Sequence, residues 1–324
     1  MRLPLGAEHD LIEDMGDGIS DIDAAAVDWA RVRRTAYVIH QRITYQYEGP
    51  VRRLHQRLLV QPRERHGDQR RLSRCVRVVD ATPRRVLARA DDFGNHVVDI
   101  EIPFVAEQVT FVSWCVVERN IDHLPHLAGA AVLADPRLLE PTLLTTADEA
   151  LEAVAAELAA TGLGAAELAW SACLRVFEEM TYRHDVTGVR TTAAEAYALR
   201  QGVCQDYAHV LLAITRALGI ASRYVSGQML GVGGSHAWVE VLVGDGGHAR
   251  VISLDPTHGR VTGMTYLTIA VGRDYADVAP VSGSYASRHS GLLTVSKRVS
   301  VMSIEADGLT DAGAGPDSRL REAV

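Results

Sequence analysis

The chain has 324 residues, with 33 Lys and Arg against 41 Asp and Glu, a net charge of −8, 47% apolar residues and 23% charged ones. That length suffices for one large domain or two ordinary ones with a sizeable core. The acidic balance argues against broad nucleic-acid binding, and no window approaches the roughly 18 apolar residues of a membrane helix. The Arg-rich stretch from Arg63 to Arg74 reads as a solvated loop and strand edge. The first residues, MRLPLGAEHD, lack an apolar h-region, so no secretory signal is expected. Cys75, Cys115, Cys173 and Cys204 are far apart without CxxC spacing, which suggests neither a zinc finger nor a disulfide framework. A cytoplasmic, thiol-reduced location is the expectation, with no cofactor or metal.

Residues 1–34 read as an extension that ends in a short helix-like run, Ile22 to Arg34. Tyr37 to Tyr47 is rich in β-branched and aromatic residues and stops at Gly49-Pro50. Further strands are predicted over Leu54–Gln61, Arg71–Val79, Arg85–Ala90, His96–Ile102 and Gln108–Glu118, with a hairpin turn at Asp91–Asn95. Short antiparallel strands at this spacing predict a β-sandwich-like domain over residues 35–135. From there the period becomes helical. Thr146 to Ala160, capped by a Thr146–Glu149 pair, Ala165 to Met180 and Thr192 to Leu199 are predicted helices of a second domain, 136–303. The tail over 304–324 is polar and Gly-rich, and is expected to be disordered.

Gly202-Val203-Cys204 leads into a periodic run, Gln205 to Leu218, in which Tyr207, Val210, Leu211, Ile214 and Leu218 share one helical face and Gly219 supplies the cap. Cys204 therefore falls at a helix N-terminus. The unpaired amides and macrodipole there favour a thiolate and can hold a developing oxyanion. A free cysteine is usually a core residue, and Cys75, Cys115 and Cys173, lying within strand or helix patterns, are read as such.

Two strands follow, His236 to Val243 and Ala249 to Leu254, the second ending at Asp255-Pro256. The Asp245-Gly246 pair between them predicts a two-residue hairpin turn, and such a turn sets His236 directly opposite Asp255. Paired residues point to the same face, so the carboxylate can fix the tautomer of the imidazole and stabilise its charged form. Either residue alone is more often a solvated polar side chain at a strand end. His209, on the Cys204 helix, is read as packed or capping, His258 as a turn residue, and Asp206 as complementing the helix dipole.

Three segments, Gly202-Val203-Cys204-Gln205-Asp206-Tyr207-Ala208-His209, Ser235-His236-Ala237-Trp238-Val239-Glu240-Val241 and Leu254-Asp255-Pro256-Thr257-His258, resemble the motifs of the bacterial transglutaminase-like superfamily. Arg216 to Gly227 and Val271 to Pro280 resemble it too, and Tyr45 to Val51 with Asp92 to Asn95 is similar to the β-rich N-terminal region of many bacterial members. The resemblance implies an α+β fold: the β-sandwich-like domain, then a papain-like core in which a helix bearing the Cys packs on an antiparallel sheet bearing the His and Asp. It implies Cys204 as nucleophile, His236 as general base and acid, and Asp255 as orienter, acting on a peptide or protein substrate. Where relatives often have Asp-Pro-Thr-Asn, this chain has His258 after Thr257. Gln201 and Tyr182 are the candidates for a side-chain oxyanion donor. Hydrolysis by a protease or amidase is the expected outcome. Amine transfer, a non-catalytic peptide-binding module and a metal site at Cys204, His236 and Asp255 are the alternatives.

Overall fold

A computed structural model describes residues 22–307. Three sheets organise it. The first runs β17-β1-β7-β4-β3, from β1 (Val32–Tyr47), β3 (Arg65–His66), β4 (Gln69–Val79), β7 (Gln108–Asn120) and β17 (Gly291–Ala306). The second runs β16-β2-β6-β5, from β2 (Val51–Leu58), β5 (Arg85–Ala90), β6 (His96–Val105) and β16 (Val281–Ala286). The third, order β14-β13-β12-β11-β15, holds β11 (Ser222–Met229), β12 (Ser235–Asp245), β13 (His248–Asp255), β14 (Arg260–Val261) and β15 (Tyr266–Gly272), and β8 (Leu127–Gly129) also pairs β13. All pairings are antiparallel except between β9 (Thr181–Tyr182) and β10 (Gln201–Gly202).

The alternation of β1 explains how the layers join. Tyr37, Ile39 and Ile43 fall two or four residues apart and share one face. Ile43, with Tyr47, packs on the second sheet against Leu54, Ile100 and Ile102, closing a sandwich core. Tyr37 and Ile39 instead pack against Leu267 and Ile269 of β15. One strand face thus covers two cores. The last two strands belong to this assembly as well: β17 pairs β1 along nearly its whole length, and β16 pairs β2. Residues assigned by sequence to the second domain therefore complete both sheets of the first. Ile304 to Ala306 still belong to β17, Asp307 follows in a turn, and residues 308–324 of the expected disordered tail lie outside the described residues.

Six helices are described: α1 (Pro136–Leu139), α2 (Glu149–Ala159), α3 (Ala165–Glu179), α4 (Ala193–Leu199), α5 (Cys204–Ala217) and α6 (Tyr275–Val278). Around α5, the helices α2, α3 and α4 pack on one side and β11 and β12 on the other. Every residue from Asp206 to Arg216 is buried, so the predicted single apolar face understates its setting. Two of its polar members bond inside the core: the Thr215 hydroxyl donates to Leu211 O at 2.9 Å, and Arg216 donates to Thr145 Oγ1 at 2.7 Å and to Arg273 O at 2.6 Å. No described helix is long and apolar enough to cross a membrane.

Three local readings change. The predicted helix over Ile22–Arg34 is one 3₁₀ turn, Ala24–Ala26, after which the chain has entered β1 by Val32, because Ile22 and Trp29 gain more by packing beside Tyr37 than by helical hydrogen bonds. The cap of α2 is Asp148, whose side chain accepts from Leu151 N, and the Thr146 hydroxyl instead donates to Thr142 O. Strand β2 ends at Leu58, so Leu59 to Gln61 leave the ladder, and Gln61 donates to Cys75 O at 2.7 Å.

Candidate active site

Cys204 is the first residue of α5, with Val203 at the N-cap in extended backbone. The start of the helix is closed by Asp206, whose Oδ2 accepts from Val203 N at 2.7 Å and from the Thr187 hydroxyl at 2.6 Å. Asp206 is thus a capping residue of defined geometry, beyond the general dipole role read from sequence. The thiol is half-buried and lies within hydrogen-bonding reach of His236.

His236 stands at the second residue of β12, only 5% exposed, and its Nε2 donates to Asp255 Oδ2 at 2.9 Å. With Nε2 engaged by an acceptor-only carboxylate, Nδ1 is the nitrogen left to face the thiol. The partner arrives by a register other than the predicted one. The turn residues are Gly246 and Gly247, both at positive φ (54° and 91°), and the ladder pairs Asp245 with His248 and Val239 with Leu254. Asp255 therefore lies diagonal to His236 rather than directly across. A slip of the turn centre by one residue keeps the same faces together, because it moves the pairing by two positions. The two residues meet in either register.

Asp255 is fully buried and lies at a junction of donors. Its Oδ1 accepts from Thr257 N at 2.9 Å. Its Oδ2 accepts from His236, from His258 Nδ1 at 2.7 Å and from the Tyr266 hydroxyl at 2.6 Å. The Tyr266 oxygen in turn accepts from Arg260 Nε at 2.8 Å. Burial alone would raise the Asp255 carboxyl, but the His236 hydrogen bond and charge, with the hydrogen bonds of Tyr266 and His258, hold it at about 2. Burial likewise opposes the His236 imidazolium, and its hydrogen bonds and charge interactions with Asp255 and Cys204 outweigh that and raise it to about 9.

Trp238 closes one flank, its ring 6.1 Å from His236 and edge-on to Tyr266 at 5.4 Å. Room for it comes from Gly227, across from His236 in β11, where a Cβ would lie 2.2 Å from Trp238 Cη2 and 2.4 Å from Leu267 O. On the other flank Tyr182, 45% exposed, directs its hydroxyl at the Cys204 amide. The second candidate oxyanion donor, Gln201, accepts from Arg183 at 3.2 Å. His258 lies in a turn, as expected, and its side chain also joins the site. His209 is packed, fully buried and accepting from Tyr275 N at 3.2 Å, and burial lowers it to about 4. The sequence gives little sign of Tyr266 and Arg260, since their only local signals are a tyrosine opening one strand and an arginine opening a two-residue one.

Among the described residues, two groups of side chains could gather around a cation: His236, Asp255 and His258, and, away from the site, His66, His126 and Glu240. In the first, Asp255 Oδ2 already takes three protons. In the second, Arg223 pairs with the other Glu240 oxygen at 2.6 Å, so a cation there would face a guanidinium.

The fold and site define a class: an α+β protein with a thiol at the head of a buried helix against an imidazole–carboxylate pair on an antiparallel sheet. Residues 152–256 match the model of the transglutaminase-like superfamily, and residues 37–118 that of the bacterial transglutaminase-like N-terminal region. The chain belongs to the transglutaminase-like superfamily and carries that N-terminal region. An uncharacterized protein of Mycobacterium tuberculosis H37Rv is 35% identical over 148 residues, covering 42% of this chain and 46% of its own length. One from Mycobacterium leprae strain TN is 37% identical over 120 residues, covering 34% and 41%. The chain thus spans less than half the length of these curated relatives. A candidate cysteine protease from Cytophaga hutchinsonii, 21% identical, shares the fold at a TM-score of 0.67 over 85% of this chain and 93% of its own.

Proposed function

We propose that the protein is a cysteine-nucleophile acyl-transfer enzyme acting on peptide or carboxamide bonds, with Cys204 as nucleophile, His236 as general base and acid, and Asp255 as orienter. One observation supports the reading: His236 Nε2 is held by Asp255 Oδ2 at 2.9 Å, so Nδ1 is the nitrogen available to the thiol at the first residue of α5. In the first half-reaction the Cys204 sulfur adds to the carbonyl carbon, amides at the helix start steady the oxyanion, and His236 protonates the departing amine. A thioester results. In the second, His236 takes a proton from water as it attacks the thioester, and the acid and thiol are released. Hydrolysis is favoured over amine transfer because Tyr182 and His258 leave the site partly open to water, at 45% and 37% exposure (the latter for the side chain).

The test is alkylation by iodoacetamide across pH with the adducts mapped by mass spectrometry. Cys204 should label ahead of Cys75 near pH 6, and the preference should vanish in His236→Ala. Equal labelling of both thiols in the unaltered chain would overturn the reading. A peptide-library assay with a labelled amine then separates transfer from hydrolysis.

A further inference from the structure

We propose that Tyr266 and His258 are positioning residues that tune His236 through one shared atom, Asp255 Oδ2, and that Arg260 acts on Tyr266 in turn. Its catalytic meaning rests on the function proposed above. Its physical content does not.

An ionised carboxylate only accepts, so every neighbour of Oδ2 must donate to it. Three do, and the contact to His236 is the longest, 2.9 Å against 2.7 Å for His258 and 2.6 Å for Tyr266. Charge drawn toward two of these donors is withdrawn from the third. Tyr266 cannot swing away, because its ring is wedged 5.4 Å from Trp238 and 5.9 Å from His236. Arg260 Nε, donating to the phenol oxygen, polarises the O–H and strengthens its donation to Asp255. Among the three donors to Oδ2, His258 alone is exposed to solvent, its ring 5.3 Å from that of His236. The other titratable groups facing this cluster are Cys204 from α5, toward His236, and Cys173 from α3, toward Asp255.

The sign follows. Removing the Tyr266 hydroxyl returns carboxylate charge to the His236 bond, favours the imidazolium and moves its titration upward. Removing His258 acts the same way. Removing Arg260 weakens the Tyr266 donor and gives a smaller shift in that direction.

The experiment is a side-chain NMR titration of ¹⁵N-histidine-labelled full-length protein, comparing the unaltered chain with Tyr266→Phe, His258→Ala and Arg260→Met. The His236 midpoint, near about 9 in the unaltered chain, should rise by about half a unit in Tyr266→Phe and in His258→Ala, and less in Arg260→Met. A midpoint that stays put or falls in His258→Ala, whose partly exposed position tolerates truncation, overturns the proposal even if Tyr266→Phe fails to fold. Cys204→Ala separates the two ideas. If it leaves His236 unmoved, the thiol–imidazole pairing fails, while the shifts in the other variants still decide the role of Oδ2.

Discussion

Asp206 reaches back over the first turn of α5 to hold the amide of Val203 at 2.7 Å, one residue before the half-buried thiol of Cys204. The same oxygen takes the Thr187 hydroxyl, so a single carboxylate joins the loop, the cap and the helix that presents the sulfur. Asp206→Ala strands both donors in a buried setting and should cost about 1–3 kcal/mol. Asp206→Asn keeps an acceptor and should cost less. Urea denaturation checks both, and equal midpoints for Ala and Asn would sink the assignment.

Gly227→Ala should be among the most damaging single-methyl changes. The added Cβ meets Trp238 at 2.2 Å and the Leu267 carbonyl at 2.4 Å, and a strand backbone cannot retreat as a flexible side chain can. A loss of about 2–3 kcal/mol is expected from overpacking, with the Trp238 fluorescence displaced as the ring shifts beside His236. A variant with unaltered melting temperature would show that the sheet absorbs the methyl.

The pH dependence of stability has a definite sign. His236 is raised above its unfolded value of about 6.5, so its contribution is complete below that pH and fades as pH rises through about 9. Asp255 is lowered to about 2, so its contribution is complete above about 4 and fades only as pH falls through about 2. Between pH 6.5 and 9.5 the melting temperature of the unaltered chain should therefore fall more than that of His236→Ala. Parallel curves for the two proteins would count against a charged His236.

Glu240 ties the first sheet to the third. Its Oε1 meets His66 Nε2 at 2.6 Å and its Oε2 meets Arg223 at 2.6 Å; Glu240 and His66 are buried and Arg223 partly so. Glu240→Ala leaves a partly buried guanidinium uncompensated and should cost about 3 kcal/mol. Hydrogen exchange should show the loss of protection centred on β3 and β12. A uniform loss over the whole chain would instead mean that the three sheets unfold as one unit.

What the sequence reveals here depends on how local each cause is. The helix start at Cys204 follows from Gly202 and the period behind it, and the meeting of His236 with Asp255 from the parity of a hairpin, which survives an error in the turn. Where two local signals compete, as Thr146 and Asp148 do for one cap, the choice lies in the geometry of the preceding turn and is not written in composition. Tyr266 is hidden for a different reason. It reaches Asp255 from β15, which borders β11 and not β13, so only the strand order brings the two residues together. The same holds for β17, whose partner β1 lies more than two hundred residues earlier in the chain.

That last pairing governs the order in which the protein can be made. β1 is synthesised early, and the strand that covers its outer edge leaves the ribosome only with residues 291–306. The helices and the third sheet are complete by Val278. Until residues 291–306 are made, the outer edge of β1 has no strand to pair with, so the first sheet can close only after every element of the site-bearing core has been synthesised.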